Sequence, residues 1–307
     1  VWAMDVARFG DYASPQYGTI KSSENYERRF IMTFPNETLP KGRKQKTTSL
    51  YDRFVNQGAV MGDSFGLENV LWFANNKEDA HEEPTIKRSR SHDYVSKEVI
   101  NVRENVGLIE VANFSKHEFK GPDARKFLDH IMAGRLPKPG RISLSPMLSY
   151  RGKLCGDLTV ACLDENEFMV FGSGAAQEMH RRWFESHIDK FNLSYSNRSD
   201  EYHGLSIAGP NSRKVLEKIV RDDVSNEKFK FRDSRRMFVG GVPAIINRIS
   251  FTGELGYEIY VAPHYQLKLY EELMEAGKEF NIKPFGGRAL MSMRLEKNWG
   301  AWTLDYR

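Results

Sequence analysis

Gly121-Pro-Asp-Ala-Arg-Lys-Phe-Leu-Asp-His-Ile-Met132 returns 88 residues later as Gly209-Pro-Asn-Ser-Arg-Lys-Val-Leu-Glu-Lys-Ile-Val220. In each copy a proline follows the glycine, where the first helical turn tolerates a missing N–H. Apolar residues then recur at helical spacing: Phe127, Leu128 and Ile131 in one copy, Val215, Leu216 and Ile219 in the other. An apolar strand precedes each copy, Gly107-Leu-Ile-Glu-Val111 and Gly204-Leu-Ser-Ile-Ala208. Gly-Pro helix starts are common, but a shared Arg-Lys and Leu at matching offsets make duplication the better reading. Two similar β/α modules, near 107–132 and 204–220, are therefore expected to pack together, with a ligand cavity between them.

Outward from the repeat, four segments carry polar groups in contexts that read as buried. In Arg248-Ile-Ser-Phe-Thr-Gly-Glu-Leu-Gly-Tyr-Glu-Ile-Tyr-Val261 two carboxylates, Glu254 and Glu258, flank a glycine-punctuated turn that leads into an alternating strand. A carboxylate held at such a bend can accept two parallel hydrogen bonds from a flat pair of N–H donors, such as an amino-pyrimidinone edge. A hairpin with a solvated glutamate explains the same residues. In Lys153-Leu-Cys-Gly-Asp-Leu-Thr-Val-Ala-Cys162 the alternation sets Leu158, Val160 and Cys162 on one face and Asp157 and Thr159 on the other. Asp157 is thereby aimed at a cavity, or it caps its own turn. The strand Phe168-Met-Val-Phe-Gly-Ser173, leading to a helix from Gln177 through His187, offers Met169 and Phe171 as an apolar wall, although core packing is the usual role for strand aromatics. Gly286-Gly-Arg-Ala-Leu-Met-Ser-Met-Arg-Leu-Glu-Lys297 reads as a helix whose Arg294 reaches a carboxylate ligand, or as a salt-bridged surface helix.

A chain of 307 residues holds two domains or one large one. Its 45 basic and 41 acidic residues leave +4, too weak a field to imply nucleic acid, and the basic clusters at 41–46 and 87–90 lack interleaved aromatics. No apolar run reaches membrane-spanning length, and no signal peptide is evident. Cys155 and Cys162, seven apart in one strand, make neither a disulfide nor a zinc site and fit a reducing compartment, bacterial cytoplasm or mitochondrial matrix. Residues 1–45 read as an extended lead-in, Thr47–Ala59 as a helix, and Asn75–Glu83 as a surface loop. The chain starts at Val1, and Trp299, Trp302 and Tyr306 crowd its end, which reads as a truncation.

Several motifs occur in an order that resembles the folate-binding aminomethyltransferase family, which includes the T-protein of the glycine cleavage system. They are Glu110-Val-Ala-Asn-Phe114, Gly121-Pro-Asp-Ala, Pro146-Met-Leu, Gly-Asp157-Leu-Thr-Val, Ala208-Gly-Pro, Phe251-Thr-Gly-Glu-Leu-Gly-Tyr-Glu and Arg294-Leu-Glu-Lys. The resemblance runs from about residue 45 onward. The lead-in, with Trp2-Ala-Met-Asp-Val-Ala-Arg-Phe9, Tyr26-Glu-Arg-Arg-Phe, Phe34-Pro-Asn-Glu37 and Gly66-Leu-Glu-Asn-Val-Leu-Trp-Phe73, resembles the junction of dimethylglycine and sarcosine dehydrogenases, where a flavin domain precedes the folate domain.

The resemblance implies an α+β fold of two related modules, with antiparallel sheets flanked by helices. It makes 1–45 the edge of an absent FAD oxidoreductase domain and 46–307 the folate domain, without its C-terminal β-barrel. It implies capture by tetrahydrofolate of the methyl-derived carbon of an oxidised N-methyl amine, as 5,10-methylenetetrahydrofolate, with FAD confined to the domain in cis. Asp157 is then the catalytic carboxylate beside the folate nitrogens, managing their proton or stabilising the cationic intermediate. Glu254 is the pterin carboxylate, Arg294 a folate-site arginine, and Phe114, Met169 and Phe171 the pocket lining. No metal, nucleic acid or membrane is implied. The sequence departs from the T-protein pattern where Gly156 replaces the first of two aspartates and Met169 an aromatic, which favours the dehydrogenase-linked branch. A glycine cleavage aminomethyltransferase, a sulfonium demethylase of the same fold and a non-catalytic folate-binding module are the alternatives.

Overall fold

The computed structural model describes residues 5–34, 37–302 and 304–306. Part of the Trp2–Phe9 motif, and Pro35 and Asn36 of the Phe34–Glu37 motif, lie outside the described residues. The chain runs through α1 (Pro15–Glu27), α2 (Tyr51–Asn56), β1 (Ala59–Ser64), β2 (Leu67–Phe73), α3 (Ser91–Glu104), β3 (Val106–Glu110), β4 (Phe114–Lys120), α4 (Ala124–Ile131), β5 (Arg141–Leu148), β6 (Leu154–Asp164) and β7 (Glu167–Ser173). It continues through α5 (Gln177–Glu185), β8 (Ser194–Asn197), β9 (His203–Ala208), α6 (Ser212–Ile219), β10 (Ser234–Val239), β11 (Val242–Asn247), β12 (Gly256–Val261), α7 (Gln266–Ala276), β13 (Ile282–Pro284) and α8 (Gly287–Glu296). The fold is α+β, and none of its three sheets closes into a barrel. No helix among the described residues is long and apolar enough to cross a membrane.

The duplication is visible in the strand order. One sheet runs β5-β6-β7-β4-β8 and the other β10-β11-β12-β9-β3-β13, so the first four strands of each repeat one antiparallel path. The two repeated helices start alike. Gly121 (φ +135°) and Gly209 (φ +130°) turn the chain out of β4 and β9, and their carbonyls accept from Ala124 N–H and Ser212 N–H, each at 3.0 Å. A Cβ at Gly209 would fall 2.6 Å from the Asn105 carbonyl oxygen, and one at Gly121 2.8 Å from the Leu193 Cα. Both positions therefore require glycine.

The structure corrects one strand of the repeat. The partner of β9 at the 88-residue offset is β4, not the 107–111 strand, which is β3 and pairs with β9 in the second sheet. Hydrophobicity hides β4 because Ser115, Lys116, His117 and Glu118 in it are all buried polar residues. The lead-in is also not extended: Ser14 caps α1, its Oγ accepting from Tyr17 N–H at 3.1 Å, and Pro15 opens the helix. The helix expected over 47–59 is confined to 51–56, since Ala59 already starts β1.

One core lies between the second sheet and α6 and α7, where Leu205, Ile207, Tyr257 and Ile259 meet Val215, Leu216, Leu269 and Leu273. Another lies under the first sheet, around Phe119, Phe127, Leu158, Val160, Phe168 and Phe184. The faces left over turn toward each other, and Ile142, Ala161, Met169 and Phe171 share a cluster with Ile109, Val111, Ala208, Ile245 and Tyr260. The period-2 pleat thus sends Leu158 and Val160 to a core and Asp157 and Thr159 to the space between the modules. Glu98 of α3 ties the edge of this space, its carboxylate accepting from Phe73 N–H (2.7 Å) in β2 and Gly286 N–H (2.9 Å) at the start of α8.

Candidate functional site

A cavity of about 1180 Å³ opens between the two modules. Its buried floor includes Ile109 of β3, Val111 just after that strand, Phe171 of β7 and Glu258 of β12, and its walls include Asp157 and Thr159 of β6. Helix α8 contributes Arg288 and Leu290, and the segment after it contributes Trp299 and Trp302. The ring of Phe171 stacks on Tyr260 at 4.5 Å and 27°, a contact of about 0.5–1.5 kcal/mol beyond the area it buries.

Phe171 and Tyr260 are the same position in the two modules. Phe171 pairs with Thr159 across β6, and Tyr260 pairs with Ile245 across β11. Two residues back, Met169 corresponds to Glu258 in β7 and β12, and Asp157 corresponds to Pro243 in β6 and β11. Each module thus supplies one cavity carboxylate where its twin holds an uncharged residue. A duplicated frame has become an asymmetric site.

The two carboxylates differ in support. The carboxylate of Asp157 forms no hydrogen bond or ion pair among the described residues, and burial pushes its pKa above the usual carboxylate range. Glu258 is 7 % exposed, and its Oε2 accepts the Tyr260 hydroxyl at 2.8 Å. Burial drives its carboxyl up to about 7 against the opposing pull of that hydrogen bond. Glu110 is likewise pushed to about 7 by burial, against hydrogen bonds from Thr48 and the Gln266 amide. Beside them Lys116 is fully buried, its ammonium donating to the carbonyls of Ala112 (2.7 Å) and Ser199 (3.3 Å), and burial lowers it to about 7.

Of the residues singled out in the sequence, Asp157, Phe114 and Phe171 line this cavity; Glu254, Arg294 and Met169 do not. Glu254 precedes β12, and the turn through Gly253 (φ +87°) sends its carboxylate outward to Arg103 at 2.5 Å. Arg294, 4 % exposed, is consumed internally, donating to the Trp299 carbonyl (3.0 Å) and the Asp305 carboxylate, and so fixes the segment that carries Trp299 and Trp302. Met169 is buried in the inter-module cluster beside the cavity. The carboxylate that does face the cavity is the second of the Gly253–Glu258 motif. Alternation carries the signal, because Glu258 shares a strand face with Tyr260, the partner of Phe171, whereas Glu254 lies in the turn before the strand. Lys116 left no signal of its own within the polar run of β4.

A family model described as the GCVT N-terminal domain matches residues 50–307. The chain belongs to that aminomethyltransferase family. Residues 1–48 match the FAD dependent oxidoreductase central domain. The chain is 34 % identical over 306 residues to human mitochondrial dimethylglycine dehydrogenase, covering 98 % of this chain and 35 % of that protein. It is 31 % identical over 206 residues to an aminomethyltransferase of Halothermothrix orenii, covering 66 % of this chain and 57 % of that one. The chain thus spans about a third of the length of its dehydrogenase relative. Among solved structures, the glycine cleavage system aminomethyltransferase T of Bartonella henselae superposes with a TM-score of 0.69 at 22 % identity, over 83 % of this chain and 63 % of that one. That likeness establishes the aminomethyltransferase fold.

Proposed function

We propose that the inter-module cavity binds tetrahydrofolate, and that the chain captures there the methyl-derived carbon of an oxidised N-methyl amine, of the dimethylglycine or sarcosine type, as 5,10-methylenetetrahydrofolate. The observation that carries this is the pairing of two unlike carboxylates, Asp157 and Glu258, in one cavity floored by aromatic and aliphatic side chains. Two folate nitrogens form C–N bonds to the incoming carbon while its bond to the amine nitrogen breaks, so the demethylated amine and one proton leave.

The ionised carboxylate of Glu258, held by Tyr260, presents its remaining acceptor capacity to a flat N–H donor edge and fixes how a pterin lies. This is the role the sequence assigned to Glu254. Phe114 and Phe171 supply apolar surface beside it. Among the described residues Asp157 has no partner, so its lone pairs are available to take a proton or to stabilise a cationic carbon. Its raised pKa suits proton transfer at neutral pH better than an ordinary aspartate would. Trp299 and Trp302 add aromatic surface to the cavity wall.

The match of residues 1–48 to a flavoprotein central domain supports the dehydrogenase-linked reading over a free-standing glycine cleavage protein, with an FAD domain in cis generating the iminium. An unpartnered Asp157 in the cavity favours chemistry over a binding-only module. Two free thiols and mitochondrial relatives fit a mitochondrial matrix location, or cytoplasm in a bacterium. The test is Asp157→Asn, which keeps shape and hydrogen-bonding reach but removes the charge. Methylenetetrahydrofolate formation by the complete flavoprotein should fall by at least tenfold, with tetrahydrofolate affinity within about threefold of wild type. Equal losses in both would make Asp157 a binding residue and refute its assigned role.

A further inference from the structure

On the face of the first sheet turned away from the cavity, three buried polar atoms have no partner among the described residues. They are Ser115 Oγ, His117 Nε2 and His180 Nδ1, all on side chains that are 0 % exposed. Ser115 and His117 lie two apart in β4, on the face that carries Phe119 into the core with Phe184 of α5. His180 of α5 covers them, its ring 6.3 Å from that of His117 at 72°. Gly172 is the cross-strand partner of Ser115 in β7. A Cβ on Gly172 would fall 3.0 Å from Ser115 Oγ and 3.3 Å from His180 Nδ1, so both atoms border the space in front of that glycine.

The other ring nitrogens are committed, which fixes what this space is offered. His180 Nε2 lies 3.1 Å from the Cys155 carbonyl, which can only accept, so the proton sits on Nε2 and Nδ1 is left an acceptor. Burial lowers His180 to about 4 and His117 well below the ordinary histidine value, so both rings are neutral at pH 7. His117 Nδ1 lies 2.9 Å from the Tyr195 hydroxyl. With that phenol donating, His117 Nε2–H is a donor, and the Ser115 hydroxyl can take either part. No group of His, Cys, Asp or Glu side chains among the described residues could hold a metal. One donor, one acceptor and one hydroxyl, all uncharged, instead match a water molecule, which when buried makes about three hydrogen bonds.

We propose that Ser115, His117 and His180 hold an internal water that accepts from His117 Nε2–H, donates to His180 Nδ1 and bonds Ser115 Oγ. Through it the His180 ring is held in the orientation that anchors β6. The anchored carbonyl, that of Cys155, lies two residues before Asp157. Gly156, where the sequence departs from the T-protein pattern, belongs to the same arrangement. A Cβ there would come 3.0 Å from His180 Nε2 and 3.1 Å from Met147 Cε, so a side chain would press on the ring. His180 also stacks on Trp302 of the cavity wall, at 5.4 Å and 26°. The water thus braces the wall that bears Asp157 from behind, whatever ligand the cavity takes.

The test is magnetic resonance of the ¹⁵N-labelled wild-type protein at pH 7, followed by urea titration of Ser115→Ala. Long-range proton–nitrogen spectra should show His180 protonated on Nε2 alone, and the ring protons of both His117 and His180 should show Overhauser contacts to a long-lived water. Ser115→Ala takes a bond from that water and should raise the unfolding equilibrium constant about fivefold or more. Removing a hydroxyl that truly has no partner would leave stability unchanged or improve it. A proton on His180 Nδ1, the absence of water contacts at both rings, or a Ser115→Ala variant as stable as wild type overturns the proposal. The first two readouts need no substitution, so they decide the question even if the variant does not fold.

Discussion

Replacing Glu258 with glutamine separates the two carboxylates of the Gly253–Glu258 motif. Glu258 is 7 % exposed and bonded by one oxygen to Tyr260 at 2.8 Å. If its carboxylate receives a pair of N–H groups from the ligand, the substitution removes charge-assisted bonds worth about 1.5–3 kcal/mol each. It also turns an amide N–H₂ toward donors. A loss of about 3–4 kcal/mol, or ~150- to 1000-fold in Kd, is expected. The pH dependence has a sign. Burial holds the Glu258 carboxyl at about 7 in the free protein, so it is increasingly protonated, and unable to accept from N–H donors, as pH falls below that value. Kd should therefore rise by up to tenfold per unit from about pH 7 downward and level off above pH 8. In Glu258→Gln that slope should vanish. The assay is calorimetric titration with tetrahydrofolate from pH 5.5 to 8.5, with Glu254→Gln as the control. Glu254 lies outside the cavity in its pair with Arg103, so its replacement should change Kd by less than twofold. A large loss in Glu254→Gln with little change in Glu258→Gln would refute the argument.

Two further outcomes follow from buried groups. Lys116 is lowered by burial to about 7 from an ordinary 10.5, so the native state holds fewer protons than the unfolded chain between those values. Its contribution to stability therefore rises with pH across that window, by up to about 5 kcal/mol, and is lost as pH falls toward 7. Lys116→Met should remove that rise in urea titrations between pH 7 and 10, and an unchanged slope would show that the lysine is not buried as described. Arg294→Met should release the segment it holds: the amides of Ala301 and Asp305, now bonded to the Asp305 carboxylate (2.7 Å) and the Ala301 carbonyl (2.8 Å), should exchange hydrogen about ten- to 150-fold faster, matching the ~1.5–3 kcal/mol of a hydrogen bond to a charged group. Unchanged protection would mean that Arg294 does not hold the segment.

Much of this architecture was legible because it rests on periodicity. The 88-residue repeat marks the two modules through their helix starts, and alternation in 153–162 sorts Asp157 and Thr159 from Leu158 and Val160. What escaped had physical causes. β4 is a buried strand built largely of polar residues, so hydrophobic patterning passes over it for β3. Glu254 and Glu258 are four apart with similar neighbours, and only the start of β12 at Gly256 decides which one faces inward. Arg294 sits on a helix that does border the cavity, but Asp305, eleven residues on, takes its guanidinium. Arg232, which lines the cavity, is placed by a bond from its Nε to the Ile142 carbonyl, ninety residues away, which no local pattern encodes.

The central claim is that a folate lies between the modules with its head on Glu258 and its reactive nitrogens beside Asp157. A crystal structure of the protein with tetrahydrofolate tests it most directly. The account predicts the pterin in the inter-module cavity, its N–H edge on the Glu258 carboxylate, its N5–N10 side toward Asp157 and its ring against Phe171. A pterin bound at the Glu254–Arg103 pair, or no folate in the cavity at saturating concentration, would contradict it.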